Sequence, residues 1–387
     1  MVKKTFFRAA VLFAAVAVVG TVSSCKPENT VTDENATLKQ NILNTYVESV
    51  VAPTYTNLAN ATQTLCEQLT DLRSHPTQAK LDAACETFLS ARAYWEKSEA
   101  FLFGPAGDFG IDPHIDSWPL DEAAFNNTMN NQSQLARLDA EDGDQYAGTY
   151  IGEGALGFHA IEYIIFSEGS PKNIANITEN ELIYVKAVAG DLRNKCFQLE
   201  VSWLGDKAAA SHVARMEELE YNVTVGGGEN SYGENMVNAG KPGSTYASLT
   251  AAIMEIVNGA STIVDEVGTK KIGMPYFGED ISYIESPYSR TSITDFYDNI
   301  ISVQNAYYGG VEDSRHETIS VHALLSKLDA DVDADIAAKI TAALEAIHNM
   351  KAPFALNYSD ASAKAAIDAL DALTKALEAG NDVLRNE

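Results

Sequence analysis

Apolar residues recur every three to four positions along most of the 387-residue chain, which is the spacing of amphipathic helices. The first half predicts helices over 38–72 with a kink at Pro53, 78–103, 120–130, 132–138, 152–167 and 179–203, with an extension to 220 left open. The second half predicts helices over 244–267, 294–308, 316–327, 334–350 and 361–386. The predicted fold class is therefore all-α.

Segments rich in glycine and proline interrupt this pattern. Residues 104–119 and 268–289 predict long irregular loops, and 222–243, with three consecutive glycines, predicts a mobile boundary. We expect an N-terminal helical bundle over 36–221 and a C-terminal bundle over 244–387, packed together. Two long helices end in an aromatic residue followed by glycine, a weak sign that the halves are a duplication.

The N-terminus has the features of a bacterial lipoprotein signal. Three basic residues precede a short apolar run, and Val22-Ser23-Ser24-Cys25 resembles a lipoprotein cleavage site. The prediction is a signal peptide over 1–24, lipidation at Cys25 and a polar tether over 25–35, on the outer membrane of a Gram-negative bacterium. The orientation of the anchor stays open, and the alternative is an ordinary secretory signal with a chance cysteine.

The formal net charge of −27 limits the kinds of partner that the chain is expected to bind. An acidic surface repels nucleic acid, so nucleic-acid binding is not expected. The acidity is compatible with cation handling, although solubility is the simpler explanation. Membrane contact is expected through the lipid anchor only.

Cys66 and Cys85 lie at similar distances from a turn at 74–77. An antiparallel helical hairpin would bring them opposite one another, and an oxidising envelope would allow a disulfide. Cys196 is interpreted as a buried apolar residue. No zinc-type cysteine spacing is present in the sequence.

The most informative motif is G-x-H-x-x-E, formed by Gly157, His159 and Glu162 in an apolar helical run. Three helical residues rotate by about 300°, so the histidine and the glutamate share one face. Gly157 leaves room for the close approach of another segment. The simpler interpretation is a buried histidine hydrogen-bonded to its neighbouring glutamate.

Four blocks, in order, resemble the imelysin-like proteins of bacterial envelopes. They are Trp95 and Glu99 before Phe103-Gly104-Pro105, Ile115-Asp116-Ser117-Trp118-Pro119, Gly157 to Tyr163, and Glu285-Ser286-Pro287-Tyr288-Ser289 leading to Asp295-Phe296. The resemblance implies two helical halves with a pocket between them, and an envelope role in iron uptake. Some members of this family are classed as metallopeptidases.

A metal site needs more ligands than His159 and Glu162, and the matching blocks supply Glu99 and Asp116 as further candidates. The metal would be iron or zinc. The pocket implied by the resemblance includes Gly157, Trp118, Glu285, Ser289, Arg290 and Asp295. Asp295 could instead belong to a helix start, and Arg290 could hold a carboxylate or an anion.

A peptidase activity lacks its usual sequence support. The helical zinc motif H-E-x-x-H is absent, and His316 and His322 are about 600° apart on a helix. The leading hypothesis is a non-enzymatic, lipid-anchored protein that binds iron or an iron-bearing ligand, with an envelope transport partner. The alternatives are a metal-dependent peptidase and a peptide- or protein-binding module without metal.

Overall fold

The computed structural model describes residues 34–387, and helices account for most of this part of the chain. The first helices run as follows: α1 (Ala36–Tyr46), α2 (Ala52–Ser74), α3 (Gln78–Glu96), α4 (Pro105–Asp108), α5 (Asp112–Asp116), α6 (Glu122–Met129), α7 (Gln132–Leu138), α8 (Gly143–Tyr150), α9 (Gly157–Ile165), α10 (Glu179–Leu204), α11 (Ala210–Glu218) and α12 (Tyr232–Val237).

The remaining helices are α13 (Leu249–Glu266), α14 (Gly273–Phe277), α15 (Ser292–Tyr308), α16 (Val321–Leu328), α17 (Ala330–His348), α18 (Phe354–Asn357) and α19 (Ala361–Arg385). Two-residue strands β1 (Phe166–Ser167) and β2 (Ser170–Pro171) pair in antiparallel fashion. Short 3-10 turns cover Glu99–Phe101, Glu153–Ala155, Ile174–Asn176, Gly205–Lys207, Val225–Gly227, Ile281–Tyr283 and Glu312–Ser314, and π-helical turns cover Val47–Val51 and Val267–Lys271. The prediction of an all-α fold is confirmed.

The hydrophobic core is continuous from Ile42 in α1 to Leu384 in α19. Helix α10 lies at its centre and packs against α2 and α8, while α19 packs against α13 and α17. A smaller cluster forms where α11 covers α2 and α10, with Met216 at its centre. Asn35–Glu387 form one compact unit, and the division into two bundles at 222–243 stays a prediction.

Several predicted element boundaries are wrong for local physical reasons. The helix expected from residue 152 begins only at Gly157, which has a φ of 68°. The extension beyond α10 is broken at Gly205, also with positive φ, and α12 lies inside the segment predicted as a loop. The kink predicted at Pro53 takes the form of a π-helical turn, because proline cannot donate to the preceding turn.

The predicted disulfide is not formed in the structure. The α2–α3 hairpin is present, yet Cys66 and Cys85 are free and buried in different surroundings. The Sγ atom of Cys66 lies 3.6 Å from Arg193 on α10, whereas that of Cys85 lies 3.7 Å from the carbonyl oxygen of Ile165. The sequence positions were compatible with a bridge, but the two side chains turn towards different partners.

The signal peptide and Cys25 lie outside the described residues, as does the predicted tether except for residues 34 and 35. None of the helices over residues 34–387 combines the length and hydrophobicity that a bilayer span requires.

Gly259 on α13 allows a close helix contact that positions the turn containing Glu99. A Cβ atom at Gly259 would lie 2.3 Å from the carbonyl oxygen of Ala100. We expect Gly259→Ala to lower the free energy of unfolding by about 1 to 3 kcal/mol, because overpacking outweighs the gain in helix propensity. Gly107→Ala is the matched control, since a Cβ there meets nothing within 4 Å. Urea unfolding measures both, and equal stabilities of the two variants would contradict the assigned contact.

Candidate metal centre

Helices α5 and α9 meet at Gly157, and this contact builds the site. The preceding residue, Leu156, is extended, and Gly157 has the left-handed backbone that glycine adopts without strain. A Cβ atom at Gly157 would lie 2.1 Å from the carbonyl oxygen of Ile115. The absence of a side chain therefore lets Asp116, the last residue of α5, approach His159 on α9.

His159, Asp116 and Glu285 form a compact group of metal-ligating side chains. Each offers one ligand atom, and these atoms lie within 4.8 Å of one another. The Nε2 atom of His159 is 2.9 Å from Asp116 Oδ1, so the imidazole and the carboxylate form a buried ion pair. Glu285 Oε2 is buried without a hydrogen-bond partner. A cation could use both the imidazole nitrogen and this oxygen.

Glu162 uses one carboxylate oxygen to hold a neighbouring segment, while its other oxygen is buried without a hydrogen-bond partner, so its role as a ligand stays a prediction. Its Oε1 accepts hydrogen bonds from the backbone N–H of Tyr288 at 3.2 Å, and from the N–H and hydroxyl of Ser289 at 2.7 and 2.6 Å. Its Oε2 lies 3.7 Å from His159 Nδ1. Glu162 thus clamps the segment that carries Glu285 onto α9, and it is absent from the compact ligand groups of the described residues.

A second carboxylate group adjoins the first and shares Asp116 with it. Its other members are Glu96, at the end of α3, and Glu99, in the following 3-10 turn. The predicted candidates Glu99, Asp116 and His159 are therefore neighbours, although Glu99 and His159 belong to different groups. Asp116 is the residue through which the two groups are joined.

Two permanent cations, Arg92 and Lys271, lie among the carboxylates described here. The Arg92 guanidinium is 2.6 Å from both Glu96 and Glu285, and it also contacts Asp116. The Lys271 ammonium is 3.3 Å from Glu285, 3.4 Å from Glu99 and 3.7 Å from Glu96. Arg92 and the acids around it are almost fully buried, so their charges interact in a medium of low dielectric constant.

Burial raises the pKa of several acids, because their charged forms lose hydration. It raises the pKa of Glu99 to about 8, although Lys271 opposes the shift. It likewise raises the pKa of Asp295 to about 7 and that of Asp112 to about 6. The site therefore holds protons at pH values where exposed carboxyl groups have lost them.

Asp116 behaves in the opposite way. Burial would raise its pKa, but the Arg92 guanidinium and His159 outweigh burial and hold the pKa of Asp116 below its ordinary value. Burial likewise opposes protonation of His159, yet the Asp116 carboxylate raises the pKa of the imidazole. Asp116 is consequently the permanent negative charge at the centre of the site.

A cavity of about 150 Å³ leads to these acids. Its lining includes Glu99, Asp112, Asp116 and Glu285, and Trp118 forms part of the wall. The rings of Trp118 and His159 are 4.4 Å apart. The cavity thus connects the carboxylate side of the site with the outside, while the indole covers the imidazole.

The remaining predicted pocket residues support the segment around Glu285. Ser289 donates to Glu162, and Asp295 accepts from Thr291 at the start of α15, which begins at Ser292, two residues before the predicted start. Arg290 has a φ of 61° and packs its side chain beside Gly169. Arg290 makes no ion pair with a described carboxylate, so the alternative that it holds one is wrong for this structure.

Comparison with known proteins decides the family. A sequence profile described as imelysin matches residues 51–379, which is most of the chain. The chain belongs to the imelysin family. The family label also classes imelysin with peptidases. A curated imelysin relative is iron-regulated protein A of Synechococcus elongatus, 27% identical over 345 residues that cover 88% of this chain and 83% of the relative.

Two solved structures resemble this imelysin. A crystal structure of an iron-regulated protein A precursor from Parabacteroides distasonis has a TM-score of 0.73 and 25% identity, with 94% of this chain and 97% of that chain covered. An imelysin-like protein from Psychrobacter arcticum has a TM-score of 0.61 and 13% identity, with 88% and 93% covered. The second comparison supports the fold alone.

Sequence reasoning missed three residues of this imelysin site, namely Arg92, Glu96 and Lys271, and it placed Glu285 in the pocket without naming it as a ligand. The sequence pattern could have identified Arg92 and Glu96, because they are an i,i+4 charged pair on the buried face of α3, where charges are rare unless paired. No sequence pattern indicates Lys271, since it follows α13 in a π-helical turn that its sequence does not predict.

The raised pKa values predict how stability depends on pH. Glu99, Asp295 and Asp112 hold protons in the folded state that they release in the unfolded state, so their contribution is lost as pH rises from about 5 to 8. Asp116 is ionised in both states over this range and adds no slope. We expect the metal-free protein to lose on the order of 1 kcal/mol of unfolding free energy per pH unit.

Urea unfolding at pH 5, 6, 7 and 8 with a chelator present measures this slope. The Glu99→Gln and Asp295→Asn double variant should flatten it, because both side chains then stay neutral in either state. Stability that rises steadily from pH 5 to 8 would contradict the assigned protonation.

Proposed function

We propose that this imelysin captures an iron ion as cargo, with Asp116, His159 and Glu285 as its ligands, in a bacterial envelope to which Cys25 anchors it. The function is binding, and the ion enters through the cavity beside Glu99 and Asp112. An envelope transport partner would receive or deliver the ion. Fold and family membership are consistent with this role, and the argument for it rests on the geometry of the buried site.

The observation that carries the proposal is a buried group of ligating side chains in which Glu285 Oε2 has no hydrogen-bond partner and His159 Nε2 has only its 2.9 Å ion-pair contact with Asp116. A buried polar atom without a partner costs on the order of 1 to 3 kcal/mol, so such atoms are rare unless they have a function. Both residues belong, with Asp116, to a group in which each side chain offers one ligand atom, and these atoms lie within 4.8 Å of one another. A cation bound by this group would give Glu285 the partner that its free oxygen lacks.

The size of the cavity favours a metal ion over haem or a large chelate. The cavity is about 150 Å³, whereas pockets for drug-sized ligands are about 300 to 1,000 Å³. Acidic side chains also dominate its lining. These properties suit a partly hydrated cation that exchanges water for carboxylate oxygens.

The choice of iron rests on ligand chemistry and on the relatives. One imidazole with two carboxylates suits iron, zinc or manganese and does not select strongly among them. The Synechococcus elongatus relative and the Parabacteroides distasonis protein are both named for regulation by iron. We therefore place iron first and zinc as its competitor.

Calorimetric titration of the domain over residues 35–387 with ferrous, ferric and zinc ions, together with elemental analysis, tests the site. We expect one ion per chain. His159→Ala and Glu285→Gln should each weaken binding at least about tenfold, because each removes a ligand. Glu162→Gln should weaken it less, since the amide oxygen can still accept from Ser289. Glu141→Gln, an exposed acid lining a separate cleft, is the control.

Equal affinity in wild type and His159→Ala would overturn the proposed site. Peptide hydrolysis that needs metal and is lost in Glu162→Gln with the metal retained would establish the peptidase alternative. A wild-type protein that binds none of the three ions would favour a binding module for a peptide or protein.

Lys271 provides a second test, because its ammonium occupies space among the same carboxylates. We expect Lys271→Met to bind a divalent ion about tenfold or more tightly at pH 8, since the variant removes a positive charge a few ångströms from the ion while retaining an unbranched side chain of similar length. Lys270→Met is the matched control, because Lys270 is exposed and pairs with Glu266 instead. Weaker binding by Lys271→Met would show that the ammonium supports the site and does not compete with the ion.

A further inference from the structure

A groove of about 930 Å³ lies away from the acidic site, between the main core and the small cluster under α11. Apolar side chains form its floor, among them Val201, Leu204, Val213, Met216 and Val223. Met216 is buried, whereas Leu204, Val213 and Val223 keep part of their surface exposed. The groove therefore lies between the two hydrophobic clusters, where their apolar side chains do not cover one another completely.

Carboxylates surround this floor. The acidic residues along the groove are Glu48, Asp206, Glu217, Glu220, Glu229 and Glu234, and the basic residue among its lining is Lys207. Glu234 is engaged in the capping box of α12. Among the described residues, the other five acids make no ion pair or side-chain hydrogen bond with the protein. Their charges are therefore available to a ligand.

Glu220, another residue of the groove lining, lies at a helix end that usually has glycine. It ends α11 with a φ of 54°, and the Tyr221 N–H then bonds back to the carbonyl oxygen of Met216 at 3.0 Å. This type of helix end normally has glycine at the left-handed position. Glutamate there costs on the order of 1 kcal/mol relative to glycine. Glu220 nevertheless occupies this position, where it is exposed among the lining residues of the groove.

We propose that this groove binds a hydrophobic organic cation, that is, a molecule with an aromatic or aliphatic body and a single positive charge. The apolar floor accepts the body, and the rim of carboxylates attracts the charge. An organic anion of equal size would meet the same floor but be repelled by the rim. A bare metal ion would gain nothing from the floor. The site is independent of the proposed iron centre.

Tetraphenylphosphonium and tetraphenylborate test this proposal, because they match in size and shape and differ in the sign of their charge. Equilibrium dialysis of the domain over residues 35–387 should show one bound tetraphenylphosphonium per chain, at least tenfold tighter than tetraphenylborate. Affinity should fall as salt increases, since exposed charges are screened. Equal binding of the two ions, or binding of neither, would overturn the proposal.

Substitutions locate the binding. Glu217→Gln with Glu220→Gln should weaken tetraphenylphosphonium about tenfold, whereas Glu345→Gln with Glu378→Gln, which changes the net charge equally at exposed positions on α17 and α19, should not. Val223→Trp should fill the groove and abolish binding. If that variant does not fold, the two charge variants still decide. Equal loss in both charge variants would assign the effect to net charge and overturn the groove as the site.

Discussion

The buried guanidinium of Arg92 is the interaction on which the rest of the site depends. It lies on α3 and contacts Glu96 on the same helix, Asp116 from α5, and Glu285 from the segment before α15. A buried charge must have partners, and removing one from such a network typically costs about 3 to 5 kcal/mol. Three parts of the chain far apart in sequence are therefore held around one cation.

The segments around Arg92 can converge only if α5 and α9 approach closely. Gly157 has no side chain, so the backbone of α5 contacts α9 there, and this contact brings Asp116 beside His159. Glu162 then fixes the third segment, because its Oε1 accepts from the backbone of Tyr288 and Ser289. Two residues of the G-x-H-x-x-E motif, Gly157 and Glu162, therefore hold neighbouring segments in place, and its histidine faces the acids.

The sequence was sufficient for the fold class and for most of the long helices, because apolar spacing reports which face of each helix is buried. It also indicated a close approach at Gly157, while family resemblance supplied Asp116 and Glu99. Helix boundaries at Gly157 and Gly205 were missed, since the turn geometry depends on contacts with distant segments.

The partners of Arg92 were beyond sequence reasoning for a related reason. Helical spacing pairs Arg92 with Glu96, but nothing in the spacing brings in Glu285, which is 193 positions away. Lys271 reaches the same acids from a π-helical turn. Glu162 shares one face with His159, and its Oε1 accepts from the backbone of Tyr288 and Ser289. Its Oε2 is buried without a hydrogen-bond partner, so the shared ion that the spacing suggests stays a prediction.

The excess of acid over base would link the proposed ion capture to proton release. Burial leaves Glu99 and Asp295 with pKa values of about 8 and 7, so part of the negative charge is neutralised by protons when no cation is bound. A divalent ion at Asp116, His159 and Glu285 would lower the pKa of every neighbouring acid and expel those protons. Protons and metal then compete for one set of oxygens, and a fall in pH favours release. Arg92 stays paired throughout, which allows the cargo to leave without dismantling the core that holds the site.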